Sequence, residues 1–167
     1  KPGLINRKMM NNPDNLPYFK TRSSNLQAII ALFLRRKFYP YIRRKFPQHY
    51  LVQPIPYKNL EYIRTYSRRY PYFLSFDIKL YYPSIDHPIL LQKIPYVYNK
   101  ISQRRLSRRF KKYLKEELPL FLLQSPYHKG LSIGSFLSYI LTGIFLLDLD
   151  LEIKAPFLRY VDDYLIF

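Results

Sequence analysis

Three aspartates stand where carboxylates could do chemistry. Asp77 follows the apolar run 73–76, and Asp162 and Asp163 stand side by side between two further apolar runs. Adjacent carboxylates repel each other, and burial near a core strand adds to that cost. Divalent cations remove both penalties, because Mg²⁺ takes a few oxygen ligands from protein and completes its shell with water and substrate phosphates. The pattern is therefore suited to a two-metal site for nucleotidyl transfer.

A simpler interpretation is that the three aspartates only shape the backbone. Aspartate is common in turns, so Asp162 and Asp163 could form a turn and Asp77 could end a strand. Spacing alone leaves both interpretations open.

The composition of the chain bears on its partners. Lys and Arg number 28 against 11 Asp and Glu, which gives a net charge of +17. A chain this basic favours a polyanionic partner, with nucleic acid ahead of an anionic membrane face. A hydrophobic fraction of 48% argues for a packed core rather than a disordered tail. The absence of Cys excludes a disulfide scaffold, a Cys metal site and a Cys nucleophile.

The elements that must position the aspartates follow from the hydrophobic spacing. A buried strand is predicted over 72–77, and a β-hairpin over 157–160 and 164–167 places Asp162 and Asp163 at its tip. Helices are predicted from Asn25 to a stop at Pro40, over 60–70, from a cap at Asp86, over 101–123 and over 135–148. Residues 1–23 are predicted to form an irregular arm. Strands between helices, with a hairpin late in the chain, indicate an α+β fold.

Two stretches bear on whether the chain crosses a membrane and whether it is part of a longer protein. Residues 130–147 hold no charge, but a break at 132–134 leaves a helix of about 14 residues, too short to cross a bilayer. No membrane partner is therefore expected. The sequence stops at Phe167 inside an apolar run, so we expect a fragment of a longer protein.

Three segments resemble the ordered motifs A, B and C of reverse transcriptases. They are residues 76–87 (FDIKLYYPSIDH), residues 130–138 (GLSIGSFLS) continuing to 147–150 (LDLD), and residues 159–167 (RYVDDYLIF) with its Tyr-x-Asp-Asp signature. The resemblance implies a polymerase palm over residues 72–167, an antiparallel sheet with packed helices. Residues 1–71 would be the fingers side, and later palm motifs and the thumb would be absent.

The resemblance also implies an activity, RNA-directed DNA polymerisation. The partners would be an RNA template, a DNA or RNA primer and deoxynucleoside triphosphates. The cofactor would be two Mg²⁺ ions, with Mn²⁺ as an alternative. Asp77, Asp162 and Asp163 would hold the ions, with help from the backbone carbonyl of Ile78.

Further roles are implied residue by residue. Tyr82 would be the aromatic gate that leaves no room for a 2′-hydroxyl. Gly134 would let the backbone approach the incoming nucleotide and templating base, beside Ile133. Ser138 would face the primer or template.

One departure from the common family pattern indicates which group of reverse transcriptases the chain resembles. Many members have Pro-Gln-Gly where this chain has Ser132, Ile133 and Gly134. Ile133 cannot make the hydrogen bonds of Gln, and an Ile-Gly pair resembles bacterial retroelement, phage-defence and abortive-infection enzymes. That branch implies a bacterial cytoplasmic setting, a non-coding RNA partner and, in some members, synthesis without a conventional template. A non-catalytic RNA-binding scaffold on a polymerase-like fold is the alternative of a different class.

Two basic segments are candidates for nucleic-acid contact. Cations cluster in 104–115, where Arg104, Arg105 and Arg108 stand out, and Arg35 and Arg36 open a second segment with interleaved aromatic residues. The alternative is a solvated helix face for the first segment and core packing of the aromatic rings for the second. By resemblance, triphosphate-binding cations from the fingers would come from among Lys58, Arg64, Arg68 and Arg69.

Overall fold

The computed structural model of this chain describes residues 24–52, 59–122 and 129–167, and within them the fold is α+β as predicted. The helices are α1 (Ser24–Lys45), α2 (Asn59–Arg69), α3 (Tyr81–Ser84), α4 (His87–Ser102), α5 (Arg108–Glu116), α6 (Leu118–Leu122), α7 (Phe136–Phe145) and α8 (Leu147–Glu152). The strands are β1 (Leu74–Phe76), β2 (Phe157–Tyr160) and β3 (Asp163–Ile166). The predicted arm 1–23 and Lys58 lie outside the described residues.

The three strands form one antiparallel sheet in the order β1-β3-β2. Strand β3 is central: Phe76 of β1 pairs with Tyr164, and Tyr160 of β2 pairs with Asp163. The β2–β3 hairpin confirms the hairpin predicted from the two apolar runs. It leaves a loop of two residues, Val161 and Asp162.

The core lies between the sheet and a layer of helices. Helix α7 is apolar on nearly every side, and it packs against both α1 and α4. The residues that fill this layer are Leu34, Phe38, Leu90, Ile94, Ile140, Leu141 and Ile144. Because α7 leads through α8 into β2, this packing fixes the hairpin relative to the helices.

Helix α4 begins as predicted at Asp86. The Asp86 carboxylate accepts a hydrogen bond from the backbone N–H of Ile89 at 3.0 Å, and Pro88 lies in the first turn. A capped, proline-started helix satisfies the donors that its first turn leaves free.

The prediction that Pro40 ends the first helix is wrong, because α1 continues to Lys45. A proline inside a helix removes one backbone hydrogen bond and costs about 3 kcal/mol. Phe38 before it and Ile42 and Phe46 after it are all buried. Burying these side chains outweighs the cost of the proline, so the helix continues through it.

The prediction of one helix over 101–123 is also wrong. Helix α4 ends at Ser102, and its C-cap, Gln103, has a left-handed backbone with φ 55° and donates its N–H to the Asn99 carbonyl. Ser107 then caps α5 by accepting the N–H of Phe110 at 3.3 Å. The apolar positions change phase at the break, since Leu106 lies five residues after Ile101 and would fall on a different side of one continuous helix.

Strand β1 is exposed, not buried as predicted. Leu74 and Phe76 are 58% and 37% exposed. Among the described strands β1 pairs with β3 alone, so it lies at an edge of the sheet.

The prediction of no membrane span is consistent with one observation. Among residues 24–52, 59–122 and 129–167, every helix is too short or too polar to cross a bilayer.

Candidate functional site

The sheet register brings the three aspartates to one end of the sheet. Phe76 is the last residue of β1 and pairs with Tyr164. The next positions in this antiparallel register are Asp77 and Asp163, and Asp162 occupies the adjoining hairpin loop. We call these three residues the acidic edge. Residues about 85 positions apart in the chain thus become neighbours through strand pairing.

The loop that presents Asp162 has an unusual backbone. Val161 has a φ of 58°, a conformation that β-branched residues rarely adopt. A two-residue hairpin loop with positive φ at its first position matches the right-handed twist of the strands. Such strained residues gather at functional sites and persist only where the surroundings hold them.

The carboxylates of the acidic edge interact electrostatically. Burial raises the pKa of Asp162, and the negative charges of Asp77 and Asp163 and a hydrogen bond with Asp77 raise it further. This mutual influence requires the carboxyl groups of Asp77 and Asp162 to be close to each other. Asp77 and Asp163 are exposed, and Asp162 is half-buried.

The donor set of the acidic edge fits a hard divalent cation. Its donors are carboxylate oxygens, the ligands that Mg²⁺ and Mn²⁺ prefer, and their repulsion is relieved by positive charge. Within the described part of the chain, no three His, Asp or Glu side chains converge into a ready-made cage. A cage is not required, since Mg²⁺ keeps waters and takes substrate phosphates beside one or two carboxylates. Ile78, whose carbonyl is implied as a further ligand, directly follows Asp77 and is half-buried.

Tyr82 lies beside the acidic edge. It is half-buried on α3, where burial raises its pKa, a hydrogen bond with Thr142 opposes that shift, and the charge of Asp162 adds to it. The ring is therefore held between α7 and the hairpin tip.

The loop before α7 is pinned to α3. Gly130 donates its N–H to the Ile85 carbonyl and Leu131 donates to the Tyr82 carbonyl, both at 2.9 Å. Gly130 has a φ of 83°, and a Cβ added to it would lie 2.8 Å from Cα of Pro83. Only glycine fits there. The loop and Tyr82 are thus positioned together.

The other residues of the segment that resembles motif B differ in exposure. Gly134 has a φ of 83° and is exposed, and its neighbour Ile133 is 48% exposed, so both are accessible. Ser138 is 5% exposed on the first turn of α7, with its side chain in the protein interior. Its contact with primer or template stays a prediction that its burial does not favour.

The cations predicted to contact nucleic acid lie at the surface. Arg104, Arg105 and Arg108 are exposed, while Phe110 and Leu114 form the buried face of α5. On α1, Arg36 is exposed and Arg35 stacks its guanidinium 5.1 Å from the ring centre of Tyr39. On α2, Arg64, Arg68 and Arg69 are exposed.

A buried charged network lies directly behind the hairpin tip. Arg159 is 2% exposed and donates from Nε to Asp150 Oδ1 at 2.9 Å and from Nη2 to Asp150 Oδ2 at 2.6 Å. Arg159 also donates to the carbonyl of Val161 at 2.8 Å and to the carbonyl of Gly143 at 2.9 Å. Tyr164 donates its hydroxyl to Asp150 at 2.8 Å. We call these side chains the buried clamp.

His49 completes the buried clamp from the turn after α1. Its Nε2 lies 2.6 Å from Arg159 Nη2 and 3.5 Å from Asp150 Oδ2, and its Nδ1 accepts the N–H of Leu51 at 3.1 Å. Burial lowers its pKa to about 4, and the charge of Arg159 acts in the same direction. His49 is therefore neutral near pH 7.

Sequence reasoning did not identify the buried clamp and gave His87 no role. His87 Nε2 lies 2.6 Å from the Gly130 carbonyl and so supports the pinned loop. One signal could have revealed the clamp: Arg159 is a charge in an otherwise apolar strand, and Asp150, nine residues before it, carries the opposite charge. Such charges are seldom buried unless they pair.

No model of a known protein family matches the sequence, and no curated protein matches it significantly.

Proposed function

We propose that this chain supplies the palm and part of the fingers of an RNA-directed DNA polymerase. In this proposal residues 72–167 are the palm and residues 1–71 belong to the fingers. The reaction is attack of a primer 3′-hydroxyl on the α-phosphate of a deoxynucleoside triphosphate. A new P–O bond forms, the bond to the β-phosphate breaks, and pyrophosphate leaves.

One observation supports the proposal more than any other. Strand pairing brings Asp77 to the Asp162–Asp163 tip, where burial raises the pKa of Asp162 and the charges of Asp77 and Asp163 add to that rise. Clustered, partly exposed carboxylates without a cationic partner destabilise a fold. They are what a metal-dependent phosphoryl transfer site needs.

The proposal assigns a task to each residue of the candidate site. Asp77, Asp162 and Asp163 would hold two Mg²⁺ ions, with help from the backbone carbonyl of Ile78. Ions bound there supply charge neutralisation for the reacting phosphates and activation of the attacking hydroxyl. Tyr82 packs against the sugar and excludes a 2′-hydroxyl. Gly134 and Ile133 flank the nucleotide from the loop.

The basic surface provides the second part of the proposal. The exposed cations of 104–115, together with Arg35 and Arg36 of α1, attract the phosphates of an RNA template and a primer. The acidic edge alone would repel this backbone. The proposal therefore requires divalent ions at the edge and cations around it.

Primer extension tests the proposal. The full-length protein is mixed with a primed RNA template, deoxynucleotides and Mg²⁺. We expect incorporation by the wild type and loss of it in the Asp162→Ala, Asp163→Ala variant. Asp148→Ala is the control, because Asp148 pairs with Lys93 at 2.9 Å, away from the acidic edge. Equal incorporation by the acidic-edge variant and the wild type would refute the proposal.

The same assay separates the alternatives. Incorporation without any template would assign the chain to the template-independent branch. Tight RNA binding by a wild type that incorporates no nucleotide would assign it to the non-catalytic scaffold.

A further inference from the structure

We propose that Arg159 is a positioning residue that holds the Val161–Asp162 turn in the geometry that brings Asp162 to Asp77. The inference rests on the proposed function for its catalytic consequence, and on the contacts of Arg159 for its geometry. It gives the buried clamp a task beyond holding the core together.

Arg159 reaches the turn directly. Its Nη1 donates to the carbonyl oxygen of Val161 at 2.8 Å. Val161 immediately precedes Asp162, so this hydrogen bond fixes the peptide plane from which Asp162 extends. Val161 is itself buried at 8% exposure, so water cannot replace the bond.

The turn needs an external constraint. Val161 adopts a φ of 58°, which its β-branched side chain disfavours. The backbone of such a residue relaxes unless surrounding contacts hold it. Arg159 supplies such a contact through its hydrogen bond to the Val161 carbonyl.

Arg159 is in turn fixed from several elements. Asp150 of α8 accepts a two-point hydrogen bond, and Gly143 of α7 accepts a third bond through its carbonyl. The planar fork of a guanidinium can serve all three acceptors at once. The position of the turn is thus set by α7 and α8, the helices that follow the motif B loop.

Stability alone does not explain this choice of residues. A buried ion pair is often no more stabilising than well-packed apolar side chains of the same volume. A pair that also aims a guanidinium at one carbonyl has a use that apolar side chains cannot supply. Lysine retains the charge but lacks the fork, so it cannot bridge Asp150 and Val161 in the same way.

The test compares two variants of the clamp in the full-length protein. Arg159→Lys loses the bond to Val161, whereas Tyr164→Phe loses only a hydrogen bond to Asp150 and leaves the turn held. We expect Arg159→Lys to lower kcat at least about tenfold with KM for the deoxynucleotide within about threefold. Tyr164→Phe is expected to stay within about threefold in both.

A crystal structure of each variant gives a readout independent of activity. We expect the carboxyls of Asp77 and Asp162 to be at least about 1 Å farther apart in Arg159→Lys and unchanged in Tyr164→Phe. If Arg159→Lys does not fold, Asp150→Leu combined with Arg159→Met replaces it, because apolar side chains of similar volume keep the packing. The same separation and the same fall in kcat are expected.

The outcomes distinguish this inference from the proposed function. If the carboxyls of Asp77 and Asp162 are no farther apart in Arg159→Lys, or in the double variant that replaces it, the positioning role is overturned whatever the rate. A kcat no lower than that of Tyr164→Phe overturns it as well. If the wild type incorporates no nucleotide, the proposed function fails, and the carboxyl separation alone then decides the role of Arg159.

Discussion

Asp162 owes its distinct electrostatics to its neighbours rather than to its residue type. Aspartate is common in hairpin turns, yet here partial burial and the charges of Asp77 and Asp163 raise its pKa. Tyr82 lies close enough to feel the same charge. At the scale of single residues, the site is therefore a group of side chains that perturb one another.

Replacing Tyr82 tests its proximity to the bound sugar. We expect Tyr82→Ala to improve ribonucleotide use relative to deoxynucleotide use by about tenfold or more in kcat/KM, because the ring no longer excludes a 2′-hydroxyl. The control is Tyr81→Phe, which removes a buried hydrogen bond to the Thr142 carbonyl at 2.7 Å. Unchanged sugar selection in Tyr82→Ala would contradict the gate role.

Replacing Gly130 tests the pinned loop. Gly130→Ala places a Cβ 2.8 Å from Pro83 Cα on a residue with φ 83°, so we expect a loss of about 3 kcal/mol in the free energy of unfolding. Gly134→Ala shares the positive φ and is exposed, so its loss should be about 1 kcal/mol. Denaturant unfolding measures both. Equal losses would show that contact with Pro83 does not matter.

The elements that position the site were predictable to different degrees. The Asp86 cap and the β2–β3 hairpin follow from local chemistry, so the sequence shows them. The passage of α1 through Pro40 depends on burial of Ile42, which involves other helices. The exposure of β1 likewise depends on its place at the sheet edge.

The residues of the candidate site were also predictable to different degrees. The order and surroundings of Asp77 and Asp162 predict that they lie together, and the sheet register brings them to one end of the sheet. The pairing of Arg159 with Asp150, and the approach of His49, depend on how α8, β2 and the turn after α1 meet. A sequence pattern can show that two charges lie in apolar elements, but not which carbonyls their hydrogen bonds reach.

The burial of His49 in the turn after α1 predicts that the stability of the fold depends on pH. The pKa of His49 is about 4 in the folded chain, below the ordinary histidine value of 6.5, so the unfolded chain takes up this proton first as the pH falls. The contribution is complete above pH 6.5 and is lost between pH 6.5 and 4, by on the order of 3 kcal/mol. Denaturant unfolding across that range measures it.

A variant isolates this contribution. His49→Asn cannot titrate in this range, so the fall in its stability between pH 6.5 and 4 should be smaller than that of the wild type. The pKa of Asp150 is lowered, although burial alone would raise it, because Arg159 and His49 lie beside it. Its own contribution is lost only as the pH falls below its ordinary value. Identical pH profiles for the two proteins would contradict the buried, neutral state of His49.

The whole molecule combines a net charge of +17 with one acidic edge. Such an excess of cations predicts RNA affinity that falls steeply with salt, because phosphate contacts release counterions. The charge is not uniform: α5 buries Phe110 and Leu114 while its cations face outward. We therefore expect RNA binding to depend on where the cations lie as well as on their number.

Removing three cations at matched sites tests this expectation. Changing Arg104, Arg105 and Arg108 to Gln should reduce the slope of log affinity for single-stranded RNA against log salt by about 2. Changing the exposed Arg43, Arg44 and Lys45 to Gln removes the same charge from the end of α1, with a smaller expected effect. Equal slopes for both variants would show that net charge alone governs binding.

The most direct test of the proposed function is the position of a divalent ion in crystals soaked with Mn²⁺ and a deoxynucleoside triphosphate. We predict an anomalous scattering peak in contact with carboxylate oxygens of both Asp77 and Asp162, at about 2.2 Å, with the triphosphate completing the ligand shell. An acidic edge without such a peak, with these carboxyls more than about 10 Å apart, would contradict nucleotidyl transfer at this site.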